Sequence, residues 1–177
     1  GIAICIGKLH LYSLTANINP VRRLPVILDF GTDNKKLLED PFYLGVRKPR
    51  VRGTKYFEMV DAFIDAWRKR LPNALLQWED LSKSTAFDAL ARYREKVPSF
   101  NDDIQGTGAM ALAGLLAATE QGKTLKEQVF LVSGAGAGGI GVAQQVRNGL
   151  VRLGMSAADA HKRIFVLDSR GLILDDR

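Results

Sequence analysis

Gly134, Gly136 and Gly139 form a G-x-G-x-x-G array between a short apolar run and a stretch of helical spacing. Such an array lets the backbone turn tightly, lets a pyrophosphate approach the chain, and lets a helix seat closely on a strand. The helix N-terminus then offers its unpaired N–H groups to phosphate. Asp168, closing the next apolar run, is the acid that such a unit uses on ribose hydroxyls, at an interval longer than the usual ~20 residues. Its charge repels a 2′-phosphate, which favours NAD over NADP. Arg170 and Arg177 stand close by and could reverse that preference. A glycine-rich turn that binds no nucleotide is the competing reading.

A second set is acidic: Glu79-Asp80 at the end of one apolar run and Asp102-Asp103 ahead of a small-residue helix. Adjacent carboxylates repel and are costly to desolvate, so they are cheapest around a cation. Three of them with open positions suit a hard ion, Mg²⁺ or Mn²⁺. Taken singly, the first pair reads more readily as a solvated strand end, and Asn101-Asp102-Asp103 as a helix cap. Lys8 lies in an otherwise apolar segment, where a lysine can serve as a base. From the sequence alone, a lysine snorkelling to the surface is the stronger reading. His10 and His161 read as structural or surface residues.

The elements that must position these groups alternate. Leu24 to Phe30 has strand length and is closed by Gly31. Residues 54–70 put Phe57, Val60, Phe63, Ile64 and Trp67 at helical spacing, with Thr54 as N-cap. Ala74 to Trp78 reads as a strand and Ser84 to Glu95 as a helix. A helix rich in Ala, Gly and Leu follows over about 107–121, its small residues suited to close packing. Gln128 to Ser133 is a strand, then come the glycine loop, a helix to about Gly154, a short helix over 156–163 and a strand from Ile164 to Leu167. The class is α/β with parallel sheet.

Ordinary apolar and charged fractions, 46% and 25%, argue for a globular chain rather than a disordered one. The net charge of +6 is spread, with one local cluster at Arg47, Lys48, Arg50, Arg52 and Lys55. That cluster has few interleaved aromatics, so a loop facing solvent or an anionic group fits better than nucleic acid. No apolar run reaches the ~20 residues of a membrane span. The single cysteine, Cys5, reads as a buried small hydrophobe and suits a reducing, cytoplasmic setting. The abrupt ends read as those of an internal fragment.

Taken in order, these segments resemble the malic enzyme family. The likeness runs through Gly7-Lys8-Leu9, Leu24-Pro25-Val26, Gly31-Thr32, Asp40-Pro41 and Gln77 to Asp80. It continues through Phe100 to Thr107 (FNDDIQGT), the most specific of the set, and on to Gly134-Ala135-Gly136 and Leu167-Asp168-Ser169. It covers essentially the whole chain. Its departures, such as Ala62 where glutamate is common and Cys5 where proline is common, point to a divergent bacterial-type member.

The resemblance implies a portion of the N-terminal malic domain over 1–101 and the start of a Rossmann-type NAD-binding domain over 102–177, with the metal site in the cleft between them. It implies Glu79, Asp80 and Asp103 as metal ligands and Lys8 as the base for the malate hydroxyl. Asp102 would hold that lysine, and Gly134, Gly136, Gly139 and Asp168 would contact the cofactor. The implied reaction is metal-dependent oxidative decarboxylation of malate to pyruvate and CO₂ with reduction of NAD, or of NADP. The tyrosine that serves the family as general acid lies upstream of the matched lysine segment. A malolactic enzyme, giving lactate, and a non-catalytic binding fragment are the alternatives. The partners implied are a small-molecule substrate and, at full length, further copies of the chain.

Overall fold

The computed structural model describes residues 2–119 and 124–174. They fall into two compact units, Gly1–Ala74 and Leu75–Arg177.

The first unit begins with α1 (Ile2–Ala16), which carries Lys8 at an intermediate depth. The thiol of Cys5 is half-buried on this helix, so its expected full burial is not met. Asn19 accepts a hydrogen bond from the Val21 N–H and opens a 3₁₀ turn, Pro20–Arg22. Leu24 to Phe30, expected as a strand, runs extended without joining a sheet. Only its end is tied: Phe30 O accepts from Val51 N–H (2.8 Å), and Thr32 N–H donates to Lys48 O (2.9 Å). Pro25 and Pro49 lack the N–H groups that a continued ladder needs. The short helix α2 (Lys35–Glu39) starts at an Asn34 cap.

Much of the basic cluster is structural. The Arg47 guanidinium donates to the carbonyls of Leu38, Asp40 and Tyr43 and lies over the Tyr43 ring. The Arg50 N–H, then Arg52 at 2.6 Å, hold the Asp33 carboxyl below the ordinary aspartate range. Helix α3 (Gly53–Arg70) buries Tyr56, Val60, Ile64 and Trp67, a stripe of helical period. Tyr56, its ring tilted against that of Phe30 at 4.5 Å, takes the place expected of Phe57. Arg52, not Thr54, is the N-cap, and no side chain caps the helix.

The second unit opens with β1 (Leu76–Trp78), α4 (Lys83–Tyr93) and β2 (Ser99–Asn101), a βαβ unit whose strands pair in parallel. Helix α4 buries Ala86, Ala89 and Tyr93, and the Tyr93 ring lies 5.6 Å from that of Trp78. A π-helical turn, Asp102–Gly106, then leads into α5 (Thr107–Thr119). The second sheet follows: β3 (Phe130–Ser133), α6 (Ala137–Arg152), α7 (Ala157–His161) and β4 (Ile164–Asp168), with β3 and β4 parallel. A tight turn at Ser169-Arg170 adds β5 (Gly171–Leu172) antiparallel to β4, an element the periodicity had not suggested. Two residues are too few to carry a pattern.

Helices α5 and α6 pack face to face, as the small residues of α5 anticipated. A Cβ on Gly108 would come within 2.6 Å of the Gly141 carbonyl oxygen, and one on Gly149 within 2.8 Å of Leu112. The core beneath gathers Leu125, Val146, Leu150 and Ala160, with Leu112, Leu115 and Ile164 at its edge. Leu150 is fully buried, and its loss to alanine would cost about 2–5 kcal/mol. This core fixes the end of β3 beside the end of β4.

Candidate active site

Both parallel pairs in the second unit place candidate site residues at the carboxyl ends of the strands, where ligands of such sheets bind. In the first pair, Gln77 aligns with Phe100 and Trp78 with Asn101. The residues that follow, Glu79-Asp80 and Asp102-Asp103, therefore leave the sheet side by side. Asp80 N–H donates to Asp103 Oδ2 at 2.8 Å, a bond across 23 positions of sequence. Asp80 makes it from a left-handed backbone, φ +57°, which aspartate tolerates better than most residues. Glu79 Oε2 accepts from the Gln77 side-chain amide, also at 2.8 Å.

The turn carrying Asp102 and Asp103 is held at several points. Asn101 Oδ1 accepts from Ile104 N–H (3.0 Å), and Asn101 N–H donates to Gln105 Oε1 (2.9 Å). Thr107 donates its N–H and its hydroxyl to Asp102 O. A Cβ on Gly106 would meet the Asp102 carboxylate, so the Asp102 side chain lies close over this turn. The cap expected of Asn101-Asp102-Asp103 is met by Asn101. The Gln105 role was missed in the sequence, and its signal was the polar run around the two aspartates, which has no regular period.

Oxygen donors of this kind suit a hard dication such as Mg²⁺ or Mn²⁺. Among the described residues no three Asp, Glu, His or Cys side chains yet converge as a metal-holding group. Glu79, Asp80 and Asp103 fit such an ion in kind and in strand placement. Bringing them onto one ion takes side-chain rotation from the positions seen here. Lys8 stands on α1 of the first unit, whereas all three carboxylates and Asp102 belong to the second.

In the second pair, Ser133 aligns with Leu167, so the glycine loop and Asp168 are neighbours. Gly134 N–H donates to Leu167 O at 2.9 Å. Gly134 has φ +114°, a conformation that a side chain would strain. Gly136 is the N-cap of α6 and has open space where its Cβ would be. A Cβ on Gly139 would run into the Gly134 carbonyl, so the first turn of α6 closes directly onto the loop. Gly134 thus makes the turn, Gly136 leaves open space and Gly139 allows close packing. Asp168 accepts from the Arg170 N–H (2.7 Å), and its other oxygen lies 3.5 Å from the Arg170 guanidinium.

Residues 1–94 match the family model for the malic enzyme N-terminal domain, and residues 104–177 match that for the malic enzyme NAD binding domain. The chain belongs to the malic enzyme family. It is 46% identical over 177 residues to NAD-dependent malic enzyme 3 of Bacillus subtilis, covering 99% of this chain and 31% of the relative. It is 49% identical to the mitochondrial 59 kDa isoform of NAD-dependent malic enzyme of Solanum tuberosum, covering 100% and 30%. The crystal structure of Entamoeba histolytica malic enzyme superposes with a TM-score of 0.67 at 25% identity, covering all of this chain and 31% of that one. The chain thus spans under a third of the length of these malic enzymes. Among the described residues no helix is long and apolar enough to cross a membrane.

Proposed function

We propose that this chain is the metal-binding and cofactor-binding stretch of an enzyme that oxidises and decarboxylates L-malate, with NAD as electron acceptor. The observation that supports this most is the bond from Asp80 N–H to Asp103 Oδ2. It joins two strand ends and sets carboxylates beside one another, in a chain that also carries the glycine loop. The relatives named above are NAD-dependent malic enzymes, which favours pyruvate as the product and NAD over NADP.

In this reading Glu79, Asp80 and Asp103 hold a divalent ion. When bound, the ion supplies Lewis-acid polarisation of the malate hydroxyl and its neighbouring carboxylate. Lys8 accepts the hydroxyl proton on Nζ as hydride leaves the same carbon for the nicotinamide. Asp102 is the carboxylate assigned to Lys8 by the family likeness. The α6 N-terminus, bare of side chains at Gly134 and Gly136, receives the pyrophosphate. Asp168 takes the ribose hydroxyls. Decarboxylation of the resulting β-keto acid breaks the C–C bond to give CO₂ and an enolate, which takes a proton at carbon to become pyruvate. We assign the enzyme to a reducing compartment such as the cytoplasm and expect the full-length protein to be a homo-oligomer.

The test is an assay of the full-length protein with malate, NAD and Mn²⁺, following NADH and identifying the three-carbon product. Pyruvate formed together with NADH supports the reading. Lactate without NADH makes the protein a malolactic enzyme. No consumption of malate by a folded preparation sinks both.

A further inference from the structure

We propose that Asn101 and Gln105 are positioning residues that form a reciprocal clamp over Asp102-Asp103 and preset the Asp103 carboxylate. The use of that carboxylate for a divalent ion rests on the function proposed above, but the clamp itself rests on geometry alone.

Asn101 ends β2 and is completely buried. Its side-chain oxygen accepts from the N–H three residues ahead, at Ile104, while its own N–H donates to the side-chain oxygen of Gln105. One side chain reaches forward and the other reaches back, and the two aspartates lie between. The logic is that of a capping box, in which two backbone donors are satisfied reciprocally, but here it is stretched over a π-helical turn. Such turns are rare and recur at functional sites.

Burial energetics alone do not explain Asn101. Its Nδ2 is buried without a hydrogen-bond partner, an arrangement that opposes folding. Its acceptor oxygen is the half that does the holding. Beneath the turn, Ile104 is 3% exposed. A Cβ on Gly141 of α6 would strike the Ile104 carbonyl, so backbone meets backbone there. The turn is therefore fixed from below by α6 and from above by the clamp. At the exposed edge of the turn Asp103 Oδ2 accepts from the Asp80 N–H at 2.8 Å.

Gln105 is exposed, so truncating it leaves the packing intact. The experiment is amide hydrogen exchange at single-residue resolution on the full-length protein, comparing wild type, Gln105→Ala and Gln105→Glu, with Mn²⁺ affinity of the same samples measured by the paramagnetic resonance of free Mn²⁺. Exchange of the Asn101 amide should quicken about tenfold in Gln105→Ala, the loss of one hydrogen bond. The clamp further requires faster exchange at Asp80, whose partner is Asp103. Gln105→Glu, which keeps an acceptor oxygen, should restore both amides. Mn²⁺ affinity should fall severalfold in Gln105→Ala at an unchanged Tm. Faster exchange at Asn101 with Asp80 unmoved would overturn the proposal, and so would an unchanged Mn²⁺ affinity where the wild type binds the ion. A wild type that takes up no Mn²⁺ counts against the proposed function, and the Asp80 amide then still decides the clamp.

Discussion

The two strand-end sites of the second unit solve the same problem with opposite means. Past β3 and β4 the site is made by leaving side chains out. Gly134 supplies a left-handed turn, Gly136 leaves open space, and Gly139 lets α6 touch the loop. Past β1 and β2 the site is made by side chains that hold one another: Asp80 on Asp103, Gln77 on Glu79, Asn101 and Gln105 around the turn. Both use a positive φ, but one places it on glycine and the other on aspartate. An anion such as pyrophosphate is bound by bare backbone N–H groups and needs room. A cation needs charge, and charge needs side chains that are kept from drifting apart.

Substitutions can break this contrast. The largest effect is expected at Gly139. Gly139→Ala places a methyl against the Gly134 carbonyl, which is backbone and has little room to yield. It should destabilise the unit by about 1–3 kcal/mol, read by denaturant unfolding, and abolish NAD binding in calorimetry. The metal side should not tolerate a neutral Asp103 either, but for another reason. Asp103→Asn keeps an acceptor for the Asp80 N–H, so folding should be little changed while Mn²⁺ affinity falls about 100-fold or more. Equal losses of stability in the two variants would erase the distinction between them.

A smaller effect sharpens the comparison at Asp80. Asparagine populates the left-handed region nearly as readily as aspartate, and alanine does not. Both variants lose the charge, but Asp80→Ala should unfold at lower denaturant than Asp80→Asn, by about 1 kcal/mol. The smallest effect lies in the first unit. The Asp33 carboxyl has its pKa lowered by the Arg50 N–H and by Arg52. A folded pKa below the unfolded one adds stability above the unfolded value and loses it as pH falls through the folded one. The contribution is therefore present at neutral pH and disappears below about pH 4. Asp33→Asn should flatten the acid limb of the stability–pH curve slightly, and an unaltered limb would show that this exposed pair contributes nothing.

Part of this was legible because it depends on local pattern. The G-x-G-x-x-G array between an apolar run and a helical stretch could be read from spacing, as could α3, α4, α5 and α6. Single elements were misjudged where pairing matters. Leu24 to Phe30 has the composition of a strand, but whether it joins a ladder depends on the N–H groups opposite, and Pro49 supplies none. Phe57 and Tyr56 are adjacent aromatics, and Tyr56, in line with Val60 and Ile64 and 4.5 Å from the Phe30 ring, is the one on the buried face.

By itself, the sequence determined the parallel α/β class, the family and the residue types available for each task, because these follow from periodicity and from side-chain chemistry. The tertiary structure alone decided that Asp80 and Asp103 share a hydrogen bond, that Asp168 lies beside Gly134, and that Asn101 and Gln105 brace the acidic turn. Those facts depend on parallel strand register, which brings together residues far apart in the chain. Register is set by the packing of α4 and α6 against their strands, and no single stretch of sequence encodes it.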